Sequence, residues 1–167
     1  MRHIVSILLQ NEAGALARVA GLFAARGYNI DSLTVAATHD PAVSRLTLVT
    51  KGDDAVIEQI LQQSRKLIDV LDIADLTARE HLEVELLIAK LDVSPAVAPA
   101  LAACVRRHPR ASIFDESATT RTVQFTGDGR EINAFLVEIG TIAPVLELAR
   151  SGTAALERGS AILAVPA

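Results

Sequence analysis

The sequence predicts an α+β fold: two ferredoxin-like βαββαβ sandwiches in tandem. Three observations carry this. The hydrophobic period switches repeatedly between that of a strand and that of a helix. Residues 3–76 run β-α-β-β-α-β, which is the split βαβ order at the size of one small domain. The remainder of the 167 residues repeats that order more loosely. The expected domains are residues 1–77 and 78–167. They meet in Thr77–His81, a short charged linker without Gly or Pro.

The elements follow in order. His3–Leu9 is short, apolar and rich in β-branched residues, so it is a strand. Gly14–Arg26 has helical spacing, with Leu16, Val19, Ala20 and Phe23 on one face and Gly27 as its stop. Ile30–Thr38 is a second strand. His39-Asp40-Pro41-Ala42 carries turn chemistry, and Ser44–Thr50 is the strand paired through it. Asp53 and Asp54 open a second helix, whose inner stripe is Val56, Ile57, Ile60, Leu61 and Ser64. Ile68–Leu76 closes the unit as a strand. In the second half, Leu82–Leu91, Ser112–Glu116, Thr122–Thr126 and Val145–Ala149 are the strands. Val97, Leu101, Cys104 and Val105 form one helical stripe, and Ile132, Phe135, Leu136 and Ile139 the other.

Composition excludes several functions. Aromatic residues make up 3% of the chain, too few for base-stacking platforms. The net charge is −4, and residues 1–80 and 81–167 each hold eight basic and ten acidic side chains. Neither half offers the basic footprint that nucleic acid or an anionic membrane requires. The N-terminal apolar run stops at Gln10-Asn11-Glu12, short of a signal peptide. With Cys104 as the single cysteine, a reducing, cytoplasmic setting is expected.

Catalytic constellations are not evident. Cys104 sits in an apolar stripe and reads as a buried structural thiol. His3, His39, His81 and His108 read as surface or turn residues without metal-ligand spacing. Glu83 and Glu85 alternate on a strand and read as a solvated edge. Gly127-Asp128-Gly129 lacks the further glycine and lysine of a phosphate loop and reads as a turn. No catalytic residue, metal site or cofactor is expected in this chain.

One segment points to a ligand. Gln10–Val19 joins the first strand to a helix that opens on Gly14-Ala15, leaving backbone amides accessible to an anion. Asn11 either caps this turn or offers its amide to a ligand. Asn29, at the entry to the second strand, could accept from an ammonium group. It would lie near the first loop or across a dimer from a partner's loop. Leu16 and Ile30 supply apolar surface for a small aliphatic side chain. Together these groups suit a free amino acid.

The runs Asn11-Glu12-Ala13-Gly14-Ala15-Leu16-Ala17-Arg18-Val19-Ala20-Gly21-Leu22-Phe23 and Arg26-Gly27-Tyr28-Asn29-Ile30-Asp31-Ser32-Leu33-Thr34-Val35 closely resemble the acetolactate synthase small regulatory subunits. Asp40-Pro41, Ser44-Arg45-Leu46-Thr47 and Lys66-Leu67-Ile68-Asp69-Val70 add to the resemblance. It is dense over residues 2–76. It thins through 92–122 and returns at Leu148-Ala149-Arg150-Ser151-Gly152 and Glu157-Arg158-Gly159. The resemblance implies an N-terminal ACT domain and no active site. It implies a large catalytic partner subunit that holds thiamine diphosphate, Mg²⁺ and FAD, and feedback inhibition by valine. It further implies a homodimer through side-by-side ACT domains, with Asn11, Gly14, Ala15 and Leu16 from one protomer and Asn29 and Ile30 from the other around valine. A stand-alone ACT-domain amino-acid sensor is the alternative.

Overall fold

The computed structural model describes residues 1–165 as two compact units. The first is Met1–Leu82 with the segment from Thr153 onward, and the second is Glu83–Gly152. The C-terminal segment therefore belongs with the first unit, whereas the sequence reading kept it with the second.

The first unit holds β1 (Arg2–Gln10), α1 (Ala15–Ala24), β2 (Ile30–Ala37), β3 (Val43–Lys51), α2 (Asp54–Ser64) and β4 (Val70–Asp75). Its sheet is antiparallel in the order β2-β3-β1-β4, so β2 and β4 are edges. The second unit holds β5 (His81–Asp92, which begins in the first unit), α3 (Ala98–Arg107), β6 (Ala111–Glu116), β7 (Thr120–Gly127), α4 (Gly129–Ile142) and β8 (Val145–Arg150). Its order, β6-β7-β5-β8, is the same topology again. The tandem α+β reading is thus correct at the level of topology.

Core packing explains the sequence pattern. Val5, Ile7 and Leu9 of β1 face Val19 and Phe23 of α1 and Ile57, Ile60 and Leu61 of α2. Ile4 faces the other way and packs with Val49, Ala74, Leu76 and Ala155. Ala155 lies in β9 (Ala154–Glu157), a strand the sequence reading did not foresee. β1 is therefore buried on both faces, and its apolar run does not alternate. Arg79 pairs with Glu157 at 2.8 Å, and the Arg158 N–H donates to the Glu80 carbonyl, anchoring this returning segment.

The helix starts differ in kind. Asp53 caps α2, its carboxylate accepting from the Ala55 N–H at 2.8 Å. Asp128 and Glu131 form a reciprocal capping box on α4, so the turn at Gly127-Asp128-Gly129 leads directly into that helix. α1 begins on Gly14, which has φ 89° and no side chain to cap it. In the second unit, Leu87, Ala89 and Leu91 of β5 pack on Leu101, Cys104 and Val105 of α3 and on Ile132, Phe135 and Ile139 of α4. No helix among the described residues is long and apolar enough to cross a membrane.

Candidate functional site

The loop between β1 and α1 is held by backbone and by one side chain. The Asn11 N–H donates to the Ala42 carbonyl at 2.8 Å, and Asn11 Nδ2 donates to the Pro41 carbonyl at 2.9 Å. Asn11 thus ties the loop to the β2–β3 turn and does not cap α1. The chain then turns through Gly14 in the left-handed region, where a side chain is strained. The Ala15 N–H bonds the Glu12 carbonyl at 3.3 Å. The amides of Leu16 and Ala17 have no protein acceptor among the described residues. Ala15 is buried as a whole residue, and its N–H is already taken by the Glu12 carbonyl. Leu16, placed on the inner face by the sequence reading, is 39% exposed instead. The buried positions are Ala15, Val19 and Phe23, which sets Leu16 beside the helix start.

The sequence reading missed a cation here. Arg18 grips the buried carboxylate of Asp69 with two N–H groups, Nε to Oδ2 and Nη2 to Oδ1, the latter at 2.7 Å. A side chain on Gly14 would meet Arg18 Nη1 at 2.9 Å, so the guanidinium lies against the helix start. Its hydrogen bonds hold the Asp69 carboxyl below the ordinary carboxylate range, and Asp69 in turn raises Arg18. The spacing Gly14 to Arg18, one helical turn, was the available signal. The partner Asp69 lies 51 residues away and is brought in by the sheet.

Asn29 and Ile30 sit elsewhere. Asn29 Nδ2 donates to the Asp31 carboxylate at 3.1 Å, and its carbonyl accepts from the Thr50 hydroxyl at 2.6 Å. Ile30 pairs with Thr50, which pairs with His3, while Gln10 pairs with Val43. Asn29 and Asn11 are therefore at opposite ends of one sheet, seven strand residues or about 23 Å apart. Within one protomer the structure does not bring the two halves of the expected site together. Ile30 also packs against the core.

Other sequence readings are corrected. Glu85 is buried, not solvated, and Arg150 donates to it twice, at 2.6 and 2.8 Å. His3 is buried, with ring nitrogens 3.3 Å from Asp54 and 3.4 Å from Asp75. Cys104 is buried as expected, and burial pushes its thiol up to about 11. His108 is not isolated: its Nε2 lies 2.7 Å from Glu138 Oε2.

Comparison with known proteins agrees with this architecture in both units. Residues 5–72 match the family described as AHAS small subunit-like ACT domain, and residues 84–159 match the small subunit of acetolactate synthase. The acetolactate synthase isozyme 3 small subunit of Salmonella typhimurium is 45% identical over 166 residues, covering 98% of this chain and 99% of the relative. The chain belongs to the acetolactate synthase small-subunit family. The isozyme 3 small subunit of Escherichia coli is likewise 45% identical over the same length and coverage. The crystal structure of the acetolactate synthase small subunit from Thermotoga maritima superposes with a TM-score of 0.86 at 32% identity. It covers 96% of this chain and 99% of that one.

Proposed function

We propose that this chain is the non-catalytic regulatory partner of an acetolactate synthase catalytic subunit, and that two copies together form a valine site. One observation carries the second half. The loop with the open α1 amides and the Asn29–Ile30 segment lie at opposite ends of the same sheet. Between them runs the edge strand β2.

β2, with the sequence Ile-Asp-Ser-Leu-Thr-Val-Ala-Ala, carries no proline or lysine and has exposed Val35, Ala36 and Ala37. That is an edge without the usual guards against pairing. A two-fold axis through its middle pairs β2 with a second β2 antiparallel, giving a continuous eight-stranded sheet. The same operation sets Asn29 of one protomer beside the Ala37 end of its partner. There the partner's Asn11 holds the β2–β3 turn and the α1 amides open. Two opposite ends of one chain become one site in the pair.

The chemistry suits a zwitterion. The helix start and Arg18 face a carboxylate, the Asn29 amide oxygen an ammonium, and Leu16 and Ile30 an isopropyl group. A carboxylate at a helix end gains about 0.3–2 kcal/mol. Millimolar to micromolar binding needs about 4–8 kcal/mol. Burial of the isopropyl group, about 1.5–3 kcal/mol, and the ammonium contact supply the rest, and both require closure by a second protomer. Valine then signals by favouring one placement of two domains, with a coupling of about 1–3 kcal/mol to the catalytic partner.

Two experiments test this. The matched catalytic subunit is assayed with and without this chain across a valine titration. Activation by the chain and inhibition by valine are expected, and no effect of the chain favours a sensor acting on another target. The shared site is tested by mixing Gly14→Asp and Asn29→Ala chains. Each homodimer loses both sites, but the mixed dimer regains one intact site built from the unaltered halves. Absence of recovered valine binding in the mixture rules out the shared arrangement.

A further inference from the structure

We propose that Cys104, His108 and Glu138 form a binding site for a zinc-type divalent cation between α3 and α4 of the second unit. Their ligand atoms, Cys104 Sγ, a ring nitrogen of His108 and a carboxylate oxygen of Glu138, all lie within 4.8 Å of one another. Cys104 lies in the last turn of α3 and His108 is the extended residue that ends it, four positions on, with the two donor atoms on the same side. Glu138 comes from the facing side of α4.

The donor set is thiolate, imidazole and carboxylate, which suits zinc and its analogues and does not suit magnesium or calcium. In a tetrahedral site, bonds of about 2.0–2.3 Å hold ligand atoms about 3.3–3.8 Å apart. His108 Nε2 and Glu138 Oε2, now 2.7 Å apart, open by less than about 1 Å to admit the ion. Three protein ligands leave a fourth position for water.

The surroundings fix these donors. The His108 ring is held edge-on by Phe125 and Phe135, at centroid distances of 5.8 and 5.0 Å. Arg107 donates to the other oxygen of Glu138 and orients the carboxylate. Hydrogen bonds from Arg107 and then His108 hold Glu138 down to about 2, so it is ionised at neutral pH. A metal binds the thiolate, so the Cys104 proton leaves to solvent as the sulfur takes up the ion.

The test uses the full-length, tag-free chain. Cobalt(II) is titrated in, and a thiolate-to-cobalt charge-transfer absorption is expected to saturate at one ion per chain and to vanish on adding zinc. Cys104 is the one cysteine in the sequence, so this band reports the site directly. Cys104→Ser abolishes the band. In competition with a chromophoric chelator it weakens zinc binding by about 100-fold or more, as does His108→Asn, with circular dichroism confirming the fold. If either variant fails to fold, the band in the unaltered chain decides. No charge-transfer band at saturating cobalt, or zinc affinity unchanged in folded Cys104→Ser, overturns the proposal.

Discussion

Replacing Gly14 by aspartate separates what this position does for the fold from what it does for a ligand. Gly14 has φ 89°, so any L side chain there costs about 1–2 kcal/mol. The new Cβ would also meet Arg18 Nη1 at 2.9 Å, which the flexible guanidinium relieves by shifting. Gly14→Ala carries the same strain and the same contact without a charge. Both variants should therefore lose about 2–8 °C of thermal midpoint. The aspartate also adds a charge to the place proposed for the ligand carboxylate, and a contact separation of about 4 Å is taken for the pair. At an effective dielectric near 20 that repulsion is about 4 kcal/mol, or about a thousandfold in affinity. Solvent beside the half-exposed Arg18 screens part of it, so a valine affinity lower by about 100-fold is expected for Gly14→Asp, against about tenfold or less for Gly14→Ala. Isothermal calorimetry on both variants, with unfolding scans alongside, makes the comparison. Affinities for the two variants that agree within about threefold would refute the anion site at this helix start.

Three further outcomes are expected. Val35→Lys, a charge on the exposed end of β2, should yield a monomer by light scattering and lose valine binding in the same step; a monomer that still binds valine contradicts the shared site. Asp69 has a folded-state value below its ordinary one, so its contribution to stability is complete above about pH 4 and disappears as pH falls through that lower value. The stability difference between the unaltered chain and Asp69→Asn should accordingly shrink as pH falls below about 4 in denaturant titrations; a difference independent of pH would show that the Arg18 pair contributes nothing. Phe135→Ala removes a ring that is 1% exposed and stacks on Phe125 at 4.5 Å, so a loss of about 3–5 kcal/mol is expected for the second unit. A loss under about 1 kcal/mol would mean that the core refills the space.

The order of elements was legible because local chemistry decides it. Period switches, Gly27 after α1, Asp53 before α2 and the Asp40-Pro41 turn act over a few residues. The turn at Gly14 was legible too, since glycine there announces its own backbone conformation, but whether Asn11 caps the helix was not: it reaches back to Pro41 and Ala42 instead. What escaped were pairings over long distances. Glu85 looked like a solvated strand residue until β8 delivered Arg150, 65 residues on. Arg18 gave no sign of its partner until the α2–β4 loop supplied Asp69, 51 residues on. His108 looked solitary, although Cys104 stands four residues earlier, and only α4 brought Glu138.

The sequence by itself determined two βαββαβ units, an open helix start and the chain's family, because each depends on local backbone preference or on the residues themselves. Only the tertiary structure decided where those parts lie. It buried β1 on both faces beneath a returning C-terminal strand, and it set Asn11 and Asn29 about 23 Å apart at opposite ends of one sheet. Strand register is a long-range property: the partner and the direction of each strand are chosen by the burial of the whole sheet. A periodic pattern names the face a residue occupies, and the assembled register settles which residues become neighbours.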